Sequence, residues 1–279
     1  MKKYKVPIPT VKEFFQWISR VFSIKHIIKR DLIGNFILNR CYNTDCRIGL
    51  RNLPDNSVDC IITDVPFAIK HGKKDTGNYN RDPDNVMEGY VEIPIEEYED
   101  FMTEWITLAK PKLTKKGLVI IVSSWSNQRE VLNAIHTNGL YIINEIVWKY
   151  NFGLFTKKKM VSSHYDIFIC SKVKDGSVFN KLYWYPEDVI QSQDFDLEIL
   201  DIRREYWTGL DKTPNKLPKE LVEMLIYQYT NVDQIILDCF SGCGTILKVA
   251  SQLGRYCLAF EIVKKYTDFS NYRLNELDY

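Results

Sequence analysis

Along most of the chain, short apolar runs alternate with stretches of helical periodicity. The strand-like runs are Phe36–Leu38, Val58–Thr63, Leu118–Ser123, Ile143–Tyr150, Tyr165–Ser171, Gln234–Phe240 and Tyr256–Ile262. Helical patterns fit best at about 96–113, 126–137, 217–230, 244–253 and 263–276. This alternation predicts an α/β domain whose mostly parallel sheet is covered by helices on both faces. No helical pattern separates Ile143–Tyr150 from Tyr165–Ser171, so these two predict an antiparallel hairpin at one edge of the sheet. Residues 172–212 break the rhythm, being rich in aromatic, acidic and turn residues, and read as an inserted recognition element. Near the start, Phe14, Ile18, Val21, Phe22 and Ile28 recur at helical spacing, with Phe15 and Trp17 widening the stripe. They predict a basic amphipathic helix over about 11–30, packed on the body or on a partner subunit.

Composition narrows the class. A chain of 279 residues with 45% hydrophobic and 26% charged residues suits one globular domain carrying a modest insertion or arm. No apolar run reaches the roughly 18 residues of a membrane span, and the charged N-terminus does not read as a signal peptide. The seven cysteines are an odd number, and Cys60, Cys170 and Cys257 lie inside apolar runs. Buried thiols in a reducing compartment, hence a cytoplasmic protein, are the expectation. Cys239 and Cys243 stand four apart with no nearby His or second cysteine pair, so no metal site is expected. Net charge is only +1, but residues 1–40 hold nine Lys/Arg against Glu13 and Asp31, while the remaining 28 basic residues face 34 acids. That asymmetry suits a basic arm near a polyanion, or an ordinary basic helix face.

Two constellations carry candidate chemistry. In the first, residues 234–245, a buried strand holding Asp238 runs through Phe240 to a Gly242-Cys243-Gly244 turn, followed by Thr245 and an apolar helix. Such a turn lets a ligand approach bare backbone at the carboxyl end of a strand, where open α/β sheets bind their ligands. Glu261, ending the next strand 17 residues past Gly244, is placed to accept hydrogen bonds from ribose hydroxyls. The third glycine of a dinucleotide fingerprint is missing, which disfavours a nicotinamide cofactor and a dehydrogenase. A Gly-x-Gly alone also fits a purely structural turn. The second constellation is residues 57–67, where a buried strand ends in Asp64-Val65-Pro66-Phe67. A carboxylate, a stiff turn and an exposed aromatic ring at a strand end suit a planar ligand, although core packing is the default reading of Phe67.

Together these residues resemble the amino-methyltransferases of bacterial and phage DNA in the permuted arrangement called the β group. In that family a catalytic tetrapeptide, usually Asp-Pro-Pro-Tyr or Asp-Pro-Pro-Phe, precedes the cofactor glycine motif. Asp64–Phe67 resembles the tetrapeptide, and Leu237–Thr245 with Glu261 resembles the cofactor motif. Thr213-Pro214-Asn215-Lys216-Leu217-Pro218 resembles the helix-leading segment beside the cofactor. Asn43-Thr44-Asp45-Cys46 with Leu53-Pro54-Asp55 resembles the segment before the tetrapeptide, and Ser163-His164-Tyr165-Asp166 the start of a later strand. The matches span about 41–67 and 117–277 in one order. Two departures stand out. Val65 replaces a proline, keeping the carbonyl but loosening the turn, and Leu217 stands where Lys is common, with Lys216 one position earlier.

The resemblance implies a Rossmann-like S-adenosylmethionine-dependent methyltransferase fold, with a mostly parallel seven-stranded sheet and permuted motif order. It implies S-adenosylmethionine bound by Asp45, Cys46, Pro214, Asn215, Lys216, Asp238, Phe240, Gly242, Gly244, Thr245 and Glu261, and catalysis by Asp64, Val65, Pro66 and Phe67. The chain then divides into an arm (1–40), a catalytic half (41–171), a target-recognition insert (172–212) and a cofactor half (213–279). The implied partner is double-stranded DNA, with room for a homodimer and a cognate restriction endonuclease. The implied reaction is methylation of adenine N6 on a flipped-out base, in a restriction-modification setting. Phe67 is then the stacking platform, residues 68–95 a polar loop over the cleft, and Lys157-Lys158-Lys159 a phosphate contact or a solvated hairpin tip. Cytosine N4 is the rival target, because Asp at the head of the tetrapeptide leans to adenine and Ser to cytosine. A non-catalytic DNA-binding subunit with a decayed site is the alternative of a different class, with Val65 its one hint.

Overall fold

The computed structural model describes residues 32–68, 93–150, 157, 160–174, 178–180, 198–205 and 216–275. The expected helix at 11–30, the loop between 69 and 92, Lys158, Lys159, most of 172–212, and Pro214 and Asn215 lie outside the described residues.

Ten strands and six helices follow one another through the described chain: β1 (Leu32–Ile33), β2 (Phe36–Ile37), β3 (Arg40–Asn43), α1 (Cys46–Arg51), β4 (Val58–Asp64), α2 (Ile95–Ala109), β5 (Leu113–Ser123), α3 (Gln128–Thr137), β6 (Tyr141–Lys149), β7 (His164–Ser171), β8 (Ile199–Asp201), α4 (Lys219–Tyr229), β9 (Ile235–Asp238), α5 (Thr245–Gln252), β10 (Tyr256–Glu261) and α6 (Lys264–Leu274). The main sheet has the order β3-β10-β9-β4-β5-β7-β6-β8, and β1 with β2 forms a separate small hairpin. Pairing is parallel from β3 to β5, antiparallel on both sides of β7, and parallel again between β6 and β8.

The architecture is thus the α/β class that the hydrophobic pattern predicts, with three differences. The sheet has eight strands where seven were expected, because Ile199–Asp201, inside the segment read as an insert, pairs with Val147–Lys149. The antiparallel β6–β7 pair is consequently flanked by β8 and does not form the edge. Phe36–Ile37 belongs to the small hairpin, and the strand that joins the main sheet is Arg40–Asn43. One helix boundary also moves. The pattern carried the second helix to 113, but α2 ends at Ala109 and a 3-10 turn spans Lys110–Lys112. Pro111 has no N–H to donate to the Thr107 carbonyl, so the α-helical ladder stops and the chain continues as a 3-10 turn.

Helices cover both faces, which explains why the central strands lack a wet side. On one face α1, α2 and α3 contribute Leu50, Tyr98, Met102, Trp105, Val131 and Ile135 to a core shared with Ile61, Val119 and Leu237. On the other, α4 and α5 contribute Leu221, Leu225, Ile246 and Leu247 against Ile62, Ile120 and Ile236. Strand β4 sits between β9 and β5, so the carboxyl ends of β4 and β9 lie side by side. Among the described residues, no helix is long and apolar enough to cross a membrane.

Candidate active site

Both constellations meet at the carboxyl ends of β4 and β9. One cleft is lined by Asp64, Leu217, Asp238, Phe240, Ser241, Gly242, Cys243, Thr245 and Ile246. Residues 176 positions apart in sequence are joined here by the parallel ladder Cys60–Ile236 and Ile61–Leu237.

The tetrapeptide is held from several sides. Asp64 is half-buried at the end of β4. Val65 is buried, and its N–H donates to the Val122 carbonyl at 3.2 Å. This corrects the expectation of a loosened turn: a proline here has no N–H, whereas valine extends the β4–β5 ladder by one bond. Phe67 is buried rather than exposed, and its ring stacks on Tyr165 at 5.1 Å and 28°. Its carbonyl accepts a hydrogen bond from Asn127 Nδ2 at 2.6 Å, and Asn127 is itself buried in the 3-10 turn after β5. Ala68 then turns the chain with φ +52°, a left-handed conformation that costs an L-residue about 1–2 kcal/mol.

On the β9 side, Asp238 is fully buried. Its Oδ1 accepts from Thr63 Oγ1 at 2.9 Å and from the Phe240 N–H at 3.2 Å. Burial pushes its carboxyl up to about 7, with the bonds from Thr63 and Phe240 pulling the other way. The Glu261 carboxylate anchors the glycine turn: Oε2 accepts from the Gly242 N–H and Oε1 from the Val263 N–H, each at 2.8 Å. Burial raises Glu261 as well, against those same backbone donors. Each carboxylate oxygen has a second lone pair, so acceptor capacity toward a ligand remains. Gly242 has φ +50° and a Cβ built on it would meet nothing within 4 Å, so open space lies above bare backbone at the strand end.

These shifts have a sign that can be measured. Below about pH 4 the folded and unfolded chains both hold the Asp238 proton, and between about 4 and 7 only the folded chain does. Stability contributed by the neutral form is therefore full below 4 and is lost as pH rises through 7, with Glu261 acting in the same direction. Asp238→Asn is expected to flatten the fall in melting temperature across this window. Parallel wild-type and variant profiles would contradict it.

Other residues expected at the cofactor also make contacts of their own within the chain. Asp45 caps α1, accepting from the Arg47 N–H at 2.8 Å and pairing with the Arg47 guanidinium at 2.7 Å, which holds its carboxyl below the usual range. Cys46 is buried on α1, beside the same sheet edge, where Thr44 N–H donates to the Glu261 carbonyl. Lys216 pairs with Glu205 and lines a neighbouring recess with Lys219, Lys248 and Arg273, while Leu217 lines the cleft. Thr245 borders both. All seven cysteines are buried free thiols, and burial raises Cys41 to about 12 and Cys239 well above its ordinary value, so neither of these two is a ready nucleophile. Among the described residues, no group of three His, Cys, Asp or Glu side chains could hold a metal ion.

Several neighbours carried no signal at sequence level. Thr63 reads as one more residue of an apolar strand, and Asn127 as part of a helix start. Tyr165 meets Phe67, and Arg204 meets Tyr165, only through the order of strands in the sheet. Of these, Thr63 and Tyr165 fell within the motif segments, neither with a role of its own.

Comparison with known proteins agrees with this geometry. A family model described as DNA methylase, covering N6 and N4 methyltransferases, matches residues 58–272. The type II methyltransferase M.BglII of Bacillus subtilis is 26% identical over 260 residues, covering 84% of this chain and 68% of its own. M.HinfI of Haemophilus influenzae is 24% identical over 265 residues, covering 87% and 70%. Among solved structures, the PvuII DNA methyltransferase, described as cytosine-N4-specific, superposes with a TM-score of 0.65 at 18% identity, covering 85% of this chain and 87% of that one. The M1.HpyAVI–SAM complex superposes with a TM-score of 0.59 at 21% identity, covering 85% and 99%.

Proposed function

The chain belongs to the DNA methylase family of N6 and N4 amino-methyltransferases, and from that premise we propose that it methylates adenine N6 in double-stranded DNA with S-adenosylmethionine as donor. One observation carries the reading: Asp64 shares a single cleft with Asp238, Gly242 and Thr245 at the carboxyl ends of adjacent parallel strands.

The residues present fit the donor. The open space above Gly242 admits a ligand to bare backbone, and Glu261 at the carboxyl end of β10 offers lone pairs to ribose hydroxyls. Leu217 and Ile246 supply apolar lining beside them. S-adenosylmethionine, when bound, supplies an electrophilic sulfonium methyl group.

The chain's own task is to present a poor nucleophile. The amino nitrogen of adenine delocalises its lone pair into the ring. The Asp64 carboxylate and the Val65 carbonyl accept its two N–H bonds, which favours a pyramidal nitrogen with its lone pair directed outward. This is positioning and preorganised electrostatics, with no covalent intermediate on the protein. The target base leaves the duplex to reach the cleft, at a cost of a few kcal/mol. Stacking on the aromatic group around Phe67 returns about 1–3 kcal/mol. Asp at the head of the tetrapeptide supports adenine over cytosine. The similarity to type II methyltransferases supports a restriction-modification setting with a cognate endonuclease. The segments 1–40 and 172–212 are the proposed arm and target-recognition region, and pairing into a homodimer would double the surface that reads DNA.

Modification-sensitive sequencing of genomic DNA from cells expressing the chain is expected to find N6-methyladenine at one recurring short sequence. N4-methylcytosine there would move the assignment to the rival base, and unmodified DNA would overturn the function.

A further inference from the structure

Beyond the tetrapeptide, the ring of Phe67 is one member of an aromatic group with Tyr165, Tyr150 and Trp148. Tyr150 and Tyr165 lie 5.1 Å apart at 40°, and Trp148 is 5.4 Å from Tyr165. A cation closes this group. The Arg204 guanidinium lies 4.6 Å over the Tyr150 ring and 5.1 Å over that of Tyr165, and its Nη2 donates to the Tyr165 hydroxyl. Arg204 is half-buried and follows β8 directly. Its segment is pinned by the β6–β8 pairing and by Trp148 Nε1, which donates to the Ile202 carbonyl at 2.8 Å.

We propose that Arg204 is a specificity-determining residue of the target-base pocket, stacked on the pocket's tyrosines with its N–H edge directed at the ring acceptors of the flipped base. The proposal rests on the base-flipping reading above. A guanidinium is flat, and its five donors lie in its own plane. Seated over two aromatic rings, it occupies the layer in which a base stacked beside it would also lie, so its donors meet the edge of the base. A purine or pyrimidine whose amino hydrogens are taken by Asp64 and Val65 still presents ring nitrogens as acceptors, and only a donor can satisfy them. A lysine has neither the flat stack nor the fixed fork.

The test uses the full chain with S-adenosylhomocysteine and duplexes carrying the site found by sequencing. One duplex is intact, and one has an abasic analogue at the target position. Arg204→Met is expected to weaken binding to the intact duplex about tenfold, the range of one lost hydrogen bond from a charged donor, and to leave binding to the abasic duplex nearly unchanged. Arg204→Lys, which keeps charge and length, is expected to behave as Arg204→Met does. Unchanged cofactor affinity in both variants separates this effect from misfolding. An equal loss on both duplexes, or full recovery with lysine, would overturn the proposal, because either marks a backbone-phosphate or simple charge contact. Failure of the parent reading shows in the wild type: without preference for its methylated site over unrelated duplex DNA, both readings fall.

Discussion

Asp64→Ala is expected to reduce methyl transfer to DNA by about 10²–10³-fold or more while leaving cofactor affinity essentially unchanged. The carboxylate stands at the end of β4 on the cleft, and among the described residues no neighbouring carboxylate can take its place. Asp238 faces Thr63 and the Phe240 N–H, and Glu261 is tied to the Gly242 and Val263 amides. Loss of Asp64 leaves the Val65 carbonyl as acceptor for one amino hydrogen only. Side-chain removal at a half-buried strand end leaves the ladder intact, because Val65 continues it through Val122. Rate and cofactor binding therefore separate. Transfer at the wild-type rate would remove Asp64 from the chemistry, and joint loss of cofactor binding would make its role structural.

The second large effect concerns stability. Gly244 caps α5 at φ +77°, and a Cβ there would lie 2.1 Å from Ser270 Oγ and 2.8 Å from Ser270 Cβ. Gly244→Ala combines left-handed strain of about 1–2 kcal/mol with overpacking of about 1–3 kcal/mol. A drop in melting temperature on the order of 10 °C is expected for a chain of this size. Gly242→Ala offers the contrast. It carries similar strain at φ +50° but projects into open space, so it melts only a few degrees lower, within the roughly 2–4 °C per kcal/mol of such domains. Its larger effect is loss of the stabilisation that S-adenosylmethionine gives the wild type. Gly244→Ala melting as the wild type does would contradict the close approach of α5 and α6. Gly242→Ala retaining full cofactor stabilisation would remove that turn from the binding site.

Much of this was legible in the residues. Apolar runs at β4, β5, β7, β9 and β10 mark strands because a sheet covered on both faces leaves no position for polar alternation. The permuted motif order places Asp64 and Gly242 far apart in sequence, yet the parallel β4–β9 pairing brings them to one cleft. What could not be read depends on tertiary partners. Strand β8 is three residues long and exists because Val147–Lys149 offer it an edge. Val65 looked like a weakened turn because its N–H gains value only when Val122 faces it. Asp45, expected at the cofactor, also caps α1 and pairs with Arg47, which its place in the motif does not announce. Arg204 reaches the Phe67 group only through β8, which no local pattern announces.

The most direct test of the central claim follows the methyl group itself. The purified chain is incubated with S-adenosylmethionine labelled on the methyl and with duplex DNA, and the DNA is digested to nucleosides and separated. Label is predicted in N6-methyl-2′-deoxyadenosine with the wild type and at a level at least about a hundredfold lower with Asp64→Ala. Label on the C5 carbon of cytosine, or undiminished label with Asp64→Ala, would contradict amino-group methylation at this tetrapeptide.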